Sequence, residues 1–190
     1  MITVVIETHD DEVGLAHALA ALVPAATEGI VREVVIIDRG SRDGTLVVAD
    51  AAGCTIIDAR KVVGDSRHQA AEQARGDWLL FLSPLSTLAP GWQGEALAFI
   101  DRAVVSGDGR ASAATFRGGR LVVGWRARMA EWSAGFQSRL VAAPRAGEGR
   151  LISKGFYLAR AGHRRSPASL SASSPASAAS PASGARRGAA

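Results

Sequence analysis

One cysteine, Cys54, stands among 190 residues, so no intramolecular disulfide can form. Long apolar runs are also missing. Ahead of the Ser/Ala/Pro-rich end, the longest nearly uncharged stretch, Trp78 to Gly94, is broken by Pro84 and Pro90 and falls short of the roughly 20 apolar residues of a spanning helix. The first residues lack the basic start and apolar run of a secretory leader and carry Glu7, Asp10, Asp11 and Glu12 instead, so the expectation is a cytoplasmic protein. No G-x-G-x-x-G follows the first apolar segment and no Walker loop occurs, which argues against a dinucleotide oxidoreductase and a P-loop enzyme. His17, His68 and His163 have no ligand spacing with Cys54, so no zinc site is expected.

Negative charge is absent from one part of the chain. Residues 1–108 hold 16 acids against 8 bases, residues 109–160 hold 2 acids against 10 bases, and no Asp or Glu follows Glu148. This asymmetry marks either an anionic partner for the basic part or a solvated basic face. What the chain does have is apolar bulk: 47% hydrophobic residues suffice for one domain with a sizeable core.

Short apolar segments alternate with helical ones. Ile2–Thr8 (ITVVIET) suits a buried strand, and Leu15, Leu19 and Leu22 mark one face of a helix that Pro24 and Gly29 are expected to end. A second strand is expected over Glu33–Asp38, a helix over Thr45–Ala52, a strand over Cys54–Asp58, a helix over Ser66–Arg75 and a strand over Trp78–Leu82. Asp43 and Thr45 are read as caps of the second of these helices, and Cys54 as a buried inert thiol. The acids Asp10, Asp11 and Glu12 are read as ordinary dipole-compensating groups in a first helical turn rather than as a metal cluster with His9.

This order requires crossover connections, so the expected fold is α/β, a mostly parallel Rossmann-like sheet with flanking helices. Ligands of such sheets lie beyond the carboxyl ends of the strands. The loops to inspect are Thr8–Asp10, Asp38–Ser41, Asp58–Arg67 and Ser83–Thr87.

Further on, a helix is expected over Trp92–Val104 and strands over Ala111–Phe116 and Arg120–Val123. Trp125, Met129, Trp132, Phe136 and Leu140 form a helical stripe with Arg126, Arg128 and Arg139 nearby. Packing on the core is the favoured reading of this stripe; peripheral contact with an anionic membrane is the other. From Ser166 the composition narrows to Ser, Ala, Pro, Gly and Arg with the tetrad SPAS three times, so residues 1–162 are read as the domain and 163–190 as a disordered tail. A reading-frame change near Arg164 is one origin that accounts for such a tail.

Three segments in order resemble the nucleotide-sugar-binding part of family 2 glycosyltransferases, with their A-type nucleotide-diphospho-sugar transferase fold. ITVVIETHDDE is similar to the family's VVIPTYNEE, VVIIDRGSRDGT to VVDDGSTDGT, and DSRHQAAEQARGDWLLFL to ARNAGLEAARGDYLLFL. A bacterial subgroup resembles the chain further: its LLFLHADTRLPPGW reads here as LLFLSPLSTLAPGW, and its GDQGLLISRALYEAVGGF as GEGRLISKGFYLARAGH. The resemblance covers about residues 2–162. It implies an inverting transfer of a sugar from a nucleotide sugar, most simply a UDP-sugar, to an acceptor that the sequence does not name; nucleic acid is not an expected partner.

By the same resemblance, Thr8 and Asp38 line the uridine pocket, Asp38 accepting from a ring N–H, and Arg67 lies near the diphosphate. Each residue has a plainer reading: Thr8 ends a strand, Asp38 caps the following turn, and Arg67 lies on a helix surface.

Two departures stand out. The family's Mg²⁺ or Mn²⁺ site lies where this chain has Ser83 and Leu85, and a leucine offers a hard cation no oxygen. The acid that the resemblance places beyond Gly162 as general base is missing as well. Loss of such a base costs about 10²-fold to 10⁴-fold in rate, and loss of charge stabilisation costs a comparable factor. The alternative to a transferase with compensating residues is therefore a catalytically deficient relative that binds a nucleotide or a partner.

Overall fold

The computed structural model describes residues 1–86, 88–106, 113–117, 120–122 and 148–162. A seven-stranded sheet forms the centre, built from β1 (Ile2–Thr8), β2 (Val31–Asp38), β3 (Thr55–Asp58), β4 (Trp78–Leu82), β5 (Ala113–Arg117), β6 (Arg120–Val122) and β7 (Glu148–Ser153) in the order β3-β2-β1-β4-β7-β5-β6. β1 pairs parallel with β2 and β4, and β2 pairs parallel with β3; β7 then runs antiparallel to β4 and to β5. The parallel part is continuous with an antiparallel extension, and the first four strands all end at the same edge.

The helices are α1 (Glu12–Thr27), α2 (Thr45–Ala51), α3 (Ser66–Gln73), α4 (Trp92–Val105) and α5 (Lys154–Gly162), with a 3-10 turn at Ala59–Lys61. They cover the sheet on both faces, which explains why β1 and β4 are apolar runs rather than alternating ones. One core layer joins Val4, Ile6, Leu80 and Leu82 to Leu15, Leu22, Trp92 and Phe99 of α1 and α4. The other joins Val5, Ile37, Leu79 and Phe81 to Ala70, Ala71, Phe156 and Tyr157 of α3 and α5. α3 is held near its end by the ammonium of Lys154, which donates to the carbonyls of Ala74 (2.6 Å) and Glu72 (3.3 Å).

Several expected boundaries move. Pro24 does not end α1, which continues to Thr27. The missing N–H of Pro24 would have met the carbonyl of Ala20, and both residues lie on the exposed side of the helix, where solvent can satisfy that carbonyl. Gly29, at φ +72°, makes the stop: Ile30 N–H bonds to Ala25 O and Gly29 N–H to Ala26 O, a Schellman closure. Gly53 closes α2 in the same way, with Cys54 N–H on Ala49 O. Cys54 thus precedes β3 and is half-buried rather than buried inside it, and burial pushes its thiol pKa up. The stripe Trp125–Leu140, residues 111, 112 and 123, and the tail 163–190 lie outside the described residues. Among the described residues, no helix is long and apolar enough to cross a membrane.

Candidate functional site

β1 and β2 finish side by side, with Thr8 in register with Asp38. Asp38 is only 1% exposed, and its carboxylate accepts from Gly40 N–H (2.9 Å) and Ser41 N–H (3.1 Å). Those two amides satisfy the buried charge and fix the turn that carries Arg39. The turn-capping reading of Asp38 therefore describes what its side chain does here. Thr8 is equally buried, and its hydroxyl has no hydrogen-bond partner. A buried hydroxyl left unsatisfied costs about 1–3 kcal/mol.

That cavity, of about 320 Å³, opens beyond the ends of β1 and β4. It is lined by Glu7, Thr8, His9 and Asp11 from the end of β1, by Leu82, Ser83 and Pro84 from the end of β4, and by Arg39 after β2. The Glu7 carboxylate is held by the Arg39 guanidinium, whose Nε donates at 2.6 Å. Asp11 accepts from Gly14 N–H at the start of α1, so it is a helix cap, and its own amide donates to Thr45 Oγ1 at 3.0 Å. Thr45 is not the cap of α2 that the sequence suggests: the N-cap residue is Gly44, Thr45 is the first residue of the helix, and its hydroxyl serves the Asp11 amide. Asp43 receives the amides of Thr45 (3.0 Å) and Glu12 (3.1 Å), and so ties α2 to α1. At the end of β3, the Arg60 guanidinium grips Asp58 through two contacts of 2.9 and 3.0 Å, and chiefly for that reason the Asp58 carboxyl pKa falls from 3.8 to about 2.

The end of β4 is arranged differently. Ser86 Oγ accepts from Ser83 N–H (2.9 Å) and donates to Glu148 O at the start of β7 (2.7 Å), while Ser83 Oγ accepts from Leu85 N–H (3.1 Å). Ser86 N–H closes the turn on Ser83 O. The two residues expected to mark the metal position are thus parts of a self-satisfied turn, with Ser83 on the cavity wall and the Leu85 side chain turned outward at 61% exposure. A hydroxyl already bonded to an amide and an exposed leucine do not fit a hard divalent cation. Among the described residues, no three His, Cys, Asp or Glu side chains converge as a cation site.

Arg67 does not line the cavity. It sits in the first turn of α3, 22% exposed, with Nε 3.5 Å from Asp65 and Nη1 buried without a partner. Nor does the Asp38 side chain reach the cavity wall. Of the three residues expected to bind a nucleotide, Thr8 is therefore in the lining, Asp38 lies beside it on β2 with its carboxylate on the following turn, and Arg67 stands apart. Sequence reasoning had passed over Glu7 and Arg39, whose pairing only strand register reveals, and Arg150, which follows Gly149 on β7 and lies opposite Phe81.

A parallel sheet with its cavity at the carboxyl edge, continued by an antiparallel extension, is the A-type nucleotide-diphospho-sugar transferase fold. The chain belongs to glycosyl transferase family 2, whose model matches residues 3–155. A solved structure agrees on the fold. Glucosyl-3-phosphoglycerate synthase from Mycobacterium tuberculosis, in complex with phosphoglyceric acid, is 20% identical over 81% of this chain and 57% of its own, with a TM-score of 0.50. The same enzyme in complex with Mn²⁺ and UDP-glucose is 20% identical over 81% and 56%, with a TM-score of 0.49. The chain thus spans a little over half the length of these neighbours. A search of curated proteins finds no match.

Proposed function

We propose that the cavity beyond β1 and β4 receives the nucleoside of a nucleotide-sugar donor, most simply a UDP-sugar, whose sugar is transferred to an acceptor. The observation that carries this reading is the cavity itself, at the carboxyl edge of the sheet and lined by Thr8 beside Asp38, whose carboxylate holds the turn of Gly40 and Ser41. Family membership makes a nucleotide sugar the natural ligand. Glu7 and Asp11 also face the cavity, but an arginine holds the first and a helix amide the second, so neither is poised as a general base.

A second reading, a relative that binds the donor without turning it over, is favoured by the Ser83–Ser86 turn, which supplies no cation ligand. One experiment tests both. Calorimetric titration with UDP, GDP and CDP should show binding that is selective among the bases and weakened about ten-fold or more by Asp38→Ala, which strands the amides of Gly40 and Ser41. Hydrolysis of a UDP-sugar by the same preparation separates the readings: turnover supports the transferase, and binding without turnover the deficient relative. Absence of nucleotide binding contradicts both.

A further inference from the structure

Glu7 and Arg39 line the cavity together, and their pairing is uneven. Arg39 Nε donates to Glu7 Oε1 at 2.6 Å, and Nη2 of the same guanidinium lies against that same oxygen. Among the described residues, none donates a hydrogen bond to Glu7 Oε2. The carboxylate thus has one oxygen held and one spare, on a side chain that is only 18% exposed.

Three features define what the spare oxygen can take. An ionised carboxylate oxygen only accepts, so its partner is a donor; with Arg39 already balancing the charge, a neutral donor suffices and no second cation is called for. The oxygen is also held in place. Arg39 N–H donates to Thr8 O (3.0 Å), Asp38 fixes Gly40 and Ser41, and Ser41 Oγ accepts from Asp10 N–H (3.0 Å), so the arm that pins Oε1 is anchored to both strand ends. Lastly, Glu7 and Thr8 serve opposite faces of β1. Thr8 follows the side of Ile6, which packs in the layer of α1 and α4, and Glu7 the side of Val5, which packs in that of α3 and α5. A ligand in the cavity therefore meets a hydroxyl from one side of the strand end and a carboxylate oxygen from the other.

A nucleoside has two polar ends, the edge of its base and the vicinal hydroxyls of its ribose. The hydroxyls are adjacent neutral donors, which the two lone pairs of one carboxylate oxygen can take together. We propose that Glu7 selects ribose, its spare Oε2 accepting from the 2′- and 3′-hydroxyls of the bound nucleotide while Arg39 serves as a positioning residue on Oε1; this inference rests on the nucleotide-binding reading above. A sugar that lacks one hydroxyl leaves the shielded carboxylate underpaired, and sites built on such a contact reject the analogue.

The test is calorimetric titration of the full chain with UDP, 2′-deoxy-UDP and 3′-deoxy-UDP, for the wild type, Glu7→Met and Arg39→Gln. The wild type should bind UDP about ten-fold or more tightly than either deoxy analogue. Glu7→Met, which keeps the length but removes the acceptor, should bind all three within about two-fold of one another. Arg39→Gln keeps the carboxylate, so it should retain a preference for UDP and weaken UDP binding less than about five-fold, as loss of an exposed ion pair does. A merely structural role of the pair would weaken all three nucleotides alike and leave their ratios unchanged in Glu7→Met, which would overturn the proposal. Equal wild-type affinity for UDP and both analogues would overturn it as well, without recourse to any variant, and would leave the nucleoside site standing. Failure of all three to bind the wild type would overturn the site itself.

Discussion

The β1–β2 end of the sheet and the β4–β7 end face each other across one cavity and treat polarity in opposite ways. At the first, a carboxylate is buried to 1% exposure and saturated by backbone amides, and Thr8 beside it keeps an unused hydroxyl. At the second, Ser83 and Leu85 offer no carboxylate, and the Ser83 and Ser86 hydroxyls accept backbone amides within one turn. The two ends are built on different strands and satisfy their polar groups independently. Leu80 and Leu82 of β4, packed in the same layer as Val4 and Ile6 of β1, hold the two ends together.

The largest effect comes from breaking what the two ends share. Leu80→Ala opens a cavity in the fully buried centre of β4 and should cost about 2–5 kcal/mol in a denaturant titration, with both ends losing amide protection together. If only the β4–β7 end loosens, the two are less coupled than the core layer implies. A smaller effect distinguishes them: Ser86→Ala removes the bonds to Ser83 and to Glu148 and should cost about 1–3 kcal/mol by the same titration, with uridine affinity unchanged.

The smallest effect is a pH dependence at the first end. Arg60 depresses the Asp58 pKa from 3.8 to about 2, so the ion pair stabilises the fold in full above the ordinary value and fades as pH falls through about 2. Melting curves of the wild type and Asp58→Asn should therefore be separated at neutral pH and converge as pH drops from 4 toward 2. A separation independent of pH would contradict the pairing.

Much of this architecture is legible in the sequence, for physical reasons that also explain the misses. β1 and β4 appear with their exact ends because β-branched and apolar runs stop at polar turns, and Asp38 is visible as an acid placed just before Gly40 and Ser41. Pro24 misleads because its effect depends on whether the carbonyl of Ala20 faces solvent, which only packing decides. β7 escapes a strand assignment because Glu148-Gly149-Arg150 interrupts the apolar pattern, although Gly149 is buried against Leu82 and Phe116. The Glu7–Arg39 pair and the position of Arg150 are set by strand register, which a linear reading does not contain.

The most direct measurement is amide hydrogen exchange of the full chain in EDTA, with and without saturating UDP. The account predicts added protection at residues 7–9, 11, 39 and 83, which line the cavity. Protection confined to segments away from the carboxyl edge of the sheet, or no change at saturating UDP, would contradict it.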